Sequence, residues 1–265
     1  MQLYFPQKNK NMSLPVYNPD RTFLVDSNSA NNTFLIRGNQ PLCADGVTFA
    51  YNELNAKLQT ILPGTGDPSP IFNLSNYTLI DISIIDDNPA SERPVLEAEF
   101  ACFGITSSEF DTNFPWPASW PPYLDPNLSN KLTNLYGTSV TVGTNSYSAS
   151  VVWYPVQGCT SGSCPDVEVR QFNFNGLVDY LRKLVTTGSF LVIYFHCEHG
   201  HDRTSAVTGG YQMKYMGISE QDVLTLPPPN GAKAFKHDWE ANYKTLVEYY
   251  AGTLTASVSS ASASK

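Results

Sequence analysis

At 265 residues the chain can bury one substantial core, and nothing in its composition demands two domains. Hydrophobic residues make up 42% but charged residues only 15%, against roughly 25% in a typical soluble domain, so the surface is polar rather than ionic. A net charge of −8 with no Lys/Arg cluster excludes nucleic acid as an expected partner, and no apolar run approaches the roughly 18 residues needed to span a bilayer.

Residues 1–33 are rich in Asn, Ser and Asp without periodicity and read as an N-terminal arm. A single domain is expected over 34–252, opening at "TFLIRG" (33–38). "YTLIDISII" (77–85) and "SVVWYPV" (150–156) are apolar and β-branched enough for buried strands. Between them, 104–149 contains "FPWPASWPPYLDPN", whose prolines exclude regular helix or central strand; it reads as a long insertion with short pieces of structure.

From 172 the period changes. Phe174, Leu177, Val178, Leu181, Leu184 and Val185 recur at helical spacing until Gly188 offers a stop. "FLVIYF" (190–195) follows as an uninterrupted strand-length apolar run, of the kind buried on both faces of a sheet. "TSAVTGGYQMKYMG" (204–217) again suits a helix, although Gly209 and Gly210 weaken it. A last helix is expected to pack Phe235, Trp239, Tyr243 and Leu246, and residues 253–265 read as a disordered low-complexity tail. The order of helix, buried strand, loop and helix predicts an α/β fold, a central mixed β-sheet flanked by helices.

Five cysteines stand at Cys43, Cys102, Cys159, Cys164 and Cys197. "CTSGSC" (159–164) could close a small disulfide, but free thiols in a reducing compartment are the expected state, as no zinc-ribbon spacing or secretory signal is evident. Five Asn-x-Ser/Thr sequons argue weakly the other way. A soluble, cytoplasmic location is slightly favoured over secretion.

"FHCEHGHDRTS" (195–205) gathers three of the four histidines with a cysteine, two acids and an arginine. Read as a metal site, it lacks helix or knuckle ligand spacing and sets Arg203 beside the ligands. Read as a strand–loop–helix turn, it directs backbone N–H groups and the positive end of a helix dipole at whatever sits in the loop, which favours an anion. Cys197 there is expected to favour the thiolate, the attacking form. Arg203 can offer a planar two-pronged donor to phosphate oxygens, and Gly200 lets the backbone curl inward.

Cys-x5-Arg followed by Thr204 and preceded by His196 closely resembles the signature loop of the cysteine-dependent protein tyrosine and dual-specificity phosphatases. The resemblance implies a tyrosine-phosphatase-like fold and a phosphomonoesterase that needs no metal or other cofactor. It makes Cys197 the nucleophile that forms a phosphocysteine. Arg203 binds substrate and transition state, Thr204 assists the thiolate, and His196 orders the loop. Glu198, His199, Gly200, His201 and Asp202 complete the phosphate-binding turn. The general acid of the family lies some thirty residues upstream, where "CPD" places Asp166; the alternative there is an ordinary Pro-Asp turn. "IRGNQP" (36–41) is similar to an early Arg-x-x-Gln-Pro segment of some dual-specificity members.

Asp202 resembles the Asp-Arg-Thr ending of myotubularins and some bacterial lipid-active phosphatases, a resemblance that implies either help with protonation, as an alternative general acid to Asp166, or orientation of Arg203 as a structural pair, the expected role here. The loop has no lysine, only His199 and His201 to meet additional phosphates. A phosphotyrosine, phosphoserine or phosphothreonine protein is therefore the first expected substrate. A phosphoinositide or inositol phosphate is the second, and a non-catalytic phosphopeptide-binding module a third reading from another class.

Overall fold

A computed structural model of the chain describes residues 15–62, 71–85, 92–106, 108, 137–156, 158–159, 174–233 and 238–263. The protein is α/β, with a six-stranded mixed sheet flanked by helices. In chain order the strands are β1 (Phe23–Asn28), β2 (Thr33–Asn39), β3 (Thr78–Ser83), β4 (Ser139–Val142), β5 (Asn145–Trp153) and β6 (Leu191–Cys197). They lie side by side as β1-β2-β6-β3-β5-β4. The four inner strands are mutually parallel, while β1 and β4 pair antiparallel at the two edges.

The helices are α1 (Tyr51–Ile61), α2 (Arg93–Ala101), α3 (Phe174–Thr187), α4 (Asp202–Tyr211), α5 (Glu220–Thr225) and α6 (Ala241–Ala263). The run at 190–195 becomes β6, central in the sheet and buried from Val192 to Cys197, as a strand with parallel neighbours on both sides should be. The register sets Cys197 opposite Asn39 of β2, and His196 opposite both Gly38 of β2 and Ser83 of β3. The nucleophile candidate thus emerges at the carboxyl ends of three adjacent parallel strands, where open α/β sheets hold their ligands.

The period read from 174 onward is a helix. α3 buries Phe174, Leu177, Val178, Leu181 and Val185 on one face. α4 is buried from Thr204 to Tyr211, packed between α3 and α6. Its two glycines, which weakened the helix by propensity, are required by this packing. A Cβ at Gly209 would come within 2.5 Å of Val223, and one at Gly210 within 2.6 Å of Phe174.

Four expectations are corrected. The lead-in is not wholly an arm: Phe23–Asn28 forms edge strand β1, and Asp26 accepts hydrogen bonds from Arg182 of α3 and Tyr211 of α4, at 3.0 and 2.6 Å. Residues 253–263 of the expected tail are helical, because α6 continues through them to Ala263. The last helix begins at Ala241, after Trp239, whose indole instead donates to the Leu224 carbonyl. Cys159 is disulfide-bonded rather than free; Cys43, Cys102 and Cys197 are free thiols, so its partner lies outside the described residues. Of the Pro-rich insertion, the described end is a β4–β5 hairpin extending the sheet, and 109–136 lies outside the described residues.

Candidate active site

The turn from β6 into α4 is held from behind by donors on other elements. The Glu198 carbonyl accepts from the Gln40 backbone N–H at 3.2 Å, the His199 carbonyl from the Arg21 guanidinium, and the Gly200 carbonyl from Arg37 at 3.0 Å. In a planar trans peptide the C=O and N–H point opposite ways. With these carbonyls drawn outward, the N–H groups of His199, Gly200 and His201 are turned the other way, the arrangement of an anion-binding nest. Gly200 makes this possible: its φ is +70°, and a Cβ would meet the Gly38 carbonyl oxygen at 2.6 Å.

Arg37 is the brace. It is fully buried in β2, with Nη2 donating to Gly200 O and Ser205 Oγ (2.9 Å) and Nη1 to Ala232 O (3.1 Å). Burial lowers its pKa to about 10, opposed by the nearby Cys197. The guanidinium therefore ties the loop, the first turn of α4 and the segment after α5 into one unit.

Cys197 is buried at the strand end, and its backbone N–H donates to Thr204 Oγ1 at 2.8 Å. The single hydroxyl proton of Thr204 faces Cys197 Sγ at 3.1 Å, with the Gly38 carbonyl a more distant acceptor at 3.4 Å.

Arg203 lies on the first turn of α4, its guanidinium bound edge-on by Glu92 with both Nη–Oε distances 2.7 Å, while Nε donates to the Tyr243 hydroxyl at 2.7 Å. Burial works to lower its pKa, but the Glu92 bonds and the fields of Tyr243 and Cys197 outweigh it and hold Arg203 above its ordinary value. Burial likewise pushes the Tyr243 phenol up to about 12, against the nearby Arg203. Of the five guanidinium N–H groups, three are engaged by Glu92 and Tyr243, leaving one on each terminal nitrogen for a further acceptor.

Asp202 does not pair with Arg203, against expectation. Its Oδ1 accepts the Glu240 backbone N–H at 3.0 Å, fastening the start of α6 to the start of α4. The carboxylate that orients Arg203 is Glu92, at the N-terminus of α2. Glu198 is partly buried, and the side chain of His199 is largely exposed, 3.7 Å from Glu198. His201 is partly buried, its ring 6.4 Å from that of His199. Asp166 lies outside the described residues.

His196 stands on the far side of the strand end, fully buried, with Nδ1 3.3 Å from the Cys197 carbonyl. Its Nε2 is 3.1 Å from Asp81 Oδ1 of β3 and 3.3 Å from Glu99 Oε1 of α2, all three side chains being inaccessible to solvent. Burial opposes a charge on His196, yet the Glu99 and Asp81 carboxylates together raise its pKa well above the imidazole range. Asp81 is pushed up to about 7 by burial and by Glu99, partly offset by His196.

No protein-family model matches the chain, and no curated protein matches it.

The structure gathers Cys197, Arg203, Thr204 and His196 around one turn, and adds Glu92, Asp81 and Glu99, which were not singled out from the sequence, with Arg37, read there only within the Arg-x-x-Gln-Pro segment, and Tyr243, read only as a packing residue of the last helix. Three of these carried a signal. Asp81 interrupts an apolar strand run and Arg37 another, and Glu99 falls on the buried face of α2 beside Val95, Leu96 and Phe100. A charge in such a place needs a partner. Glu92 sits in an unremarkable helix-start context and had none, and Tyr243 was marked only for packing.

Proposed function

We propose that the chain is a phosphomonoesterase acting through a phosphocysteine at Cys197, with phosphorylated tyrosine, serine or threonine of proteins as substrate. The observation that carries the reading is the Thr204 hydroxyl bonded to the Cys197 N–H and directed at its sulfur, at the mouth of a helix N-terminus. A hydroxyl so placed can donate to the sulfur and stabilise the charge that develops on it when sulfur becomes the leaving group.

In the reaction the Cys197 sulfur attacks phosphorus as the bond to the ester oxygen breaks, and that oxygen takes a proton from a general acid, for which Asp166 is the candidate. Water then attacks the phosphocysteine, releasing inorganic phosphate and restoring the thiolate. The nest N–H groups would take the equatorial oxygens, whose charge persists through both steps, together with one uncommitted N–H of Arg203, since Glu92 occupies the two-pronged edge of the guanidinium and its two remaining N–H groups diverge. Glu92 and Tyr243 hold the guanidinium in plane, so its orientation is set before substrate arrives. Asp202, engaged with α6, is less available as the acid. The partly buried Glu198 adds negative charge at the rim, which disfavours a polyanionic inositol headgroup relative to a phosphoprotein.

The test is Cys197→Ser with three substrates: an aryl phosphate, phosphopeptides and phosphoinositides. Turnover is expected to fall on the order of 10⁴-fold or more on all three, while vanadate or phosphate binding persists because the nest and Arg203 remain. A variant within tenfold of wild type would remove the phosphocysteine mechanism. Binding of phosphopeptides without turnover by the wild-type chain would instead favour the non-catalytic module.

A further inference from the structure

Beneath the nucleophile lies a cluster that the proposed reaction does not use. Asp81 Oδ1, Glu99 Oε1 and His196 Nε2 converge from β3, α2 and β6, each fully buried and all within 4.8 Å of one another. Although His196 Nε2 is 3.1 and 3.3 Å from the two carboxylates, both oxygens lie off the axis of its ring nitrogen. As a result Nε2, both Asp81 oxygens and Glu99 Oε1 have no well-aligned hydrogen bond. Four orphaned atoms at full burial are costly, since each leaves water without a replacement partner.

The surroundings are those of a ligand set rather than a hydrogen-bonded pair. His196 Nδ1 faces the Cys197 carbonyl at 3.3 Å, which leaves Nε2 as the ring atom directed at the carboxylates. Glu99 is oriented through its other oxygen, Oε2, which accepts from Gln40 Nε2 at 3.2 Å and from Ser83 Oγ at 3.4 Å. Two carboxylate oxygens and one imidazole nitrogen then converge on a single point, where a proton on Nε2 is the positive charge that an ion would displace. Oxygens flanking the nitrogen axis, rather than lying on it, occupy the positions of co-ligands around an ion on that axis.

The geometry points to a buried site for one first-row divalent cation, of the zinc or manganese class, held by Asp81, Glu99 and His196 directly behind Cys197. Tetrahedral ligands about 2.0–2.2 Å from zinc stand about 3.4 Å apart, close to the 3.1 and 3.3 Å separations here. Two carboxylates and a neutral imidazole carry two negative charges, which a divalent ion cancels. Two Asp81 oxygens allow bidentate binding and a fourth donor atom. The ion would tie α2 to β3 and β6 and fix the backbone on which Cys197 stands; it would not touch the substrate. This site is distinct from His199 and His201 of the loop, where the sequence spacing argued against a metal.

The test reads metal content, so it stands apart from the phosphatase reading. The full chain is produced in medium supplemented with zinc and manganese, purified without chelator, and analysed by elemental mass spectrometry. About one equivalent per chain is expected, falling below about a tenth in Asp81→Asn and Glu99→Gln. Retention in these variants with loss in His199→Ala or His201→Ala would place the metal on the loop and overturn the proposal. A wild-type chain below a tenth of an equivalent, also after refolding with each ion, would overturn it in favour of a proton-sharing triad. Should the carboxylate variants not fold, X-ray absorption on the wild type decides: a shell of nitrogen and oxygen near 2.0–2.2 Å is expected, and a sulfur ligand would sink the assignment.

Discussion

The floor and the rim of the 197–204 turn are held in different ways. Cys197, Gly200 and Thr204 are buried, with Gly200 braced by Arg37 and Cys197 by the Thr204 hydroxyl. Glu198 and His199 project outward, the His199 side chain 61% exposed and joined to Glu198 only across 3.7 Å. Bonds made out of water hold one geometry, whereas an exposed pair is worth little and is easily rearranged. On the proposed function, what every phosphate ester shares is handled by the floor, and what distinguishes one substrate from another meets the rim.

The sharpest way to break this comparison is Arg203→Lys. Lysine keeps the charge but cannot meet Glu92 with two parallel bonds and Tyr243 with a third. A loss of kcat/KM of about 10²–10³-fold is expected, similar for aryl phosphate, phosphopeptide and phosphoinositide. A loss confined to one substrate class would move Arg203 from floor to rim.

A smaller effect separates the two acidic candidates. Asp166→Asn is expected to cost on the order of 10²-fold on phosphoserine, where the leaving oxygen needs a proton, and much less on an activated aryl ester. Asp202→Asn keeps an oxygen to accept the Glu240 N–H, so both substrates should stay within about threefold of wild type. Leaving-group sensitivity at Asp202 instead would bring the acid into the loop and raise the phosphoinositide reading above the protein one.

The smallest effect belongs to the rim itself. His199→Ala with Glu198→Gln is expected to leave hydrolysis of a small aryl phosphate within about threefold, while changing the ratio of phosphopeptide to phosphoinositide turnover. If the aryl phosphate rate falls with the rest, rim and floor are one unit and the distinction fails.

Local pattern carried much of the architecture. The helical period from Phe174 to Val185 and the apolar run 190–195 were legible because burying one face, or both, imposes a spacing on consecutive residues. Edge strand β1 was not legible. Its burial is partial and irregular, and it is a strand because it pairs with β2 across a short turn. The helical state of 253–263 was also hidden in a serine- and alanine-rich stretch without an amphipathic stripe.

The site divides along the same line. The sequence by itself determined that a cysteine, an arginine and a threonine share one strand–loop–helix turn, since contiguous residues in that context can hardly be elsewhere. Only the tertiary structure decided that Glu92 rather than Asp202 orients Arg203, and that Arg37 braces the loop. It also decided that Asp81 and Glu99 converge on His196. Those partners come from 111, 163, 115 and 97 residues away in the chain. Which distant carboxylate reaches which cation depends on strand order and helix placement, and no local spacing encodes these.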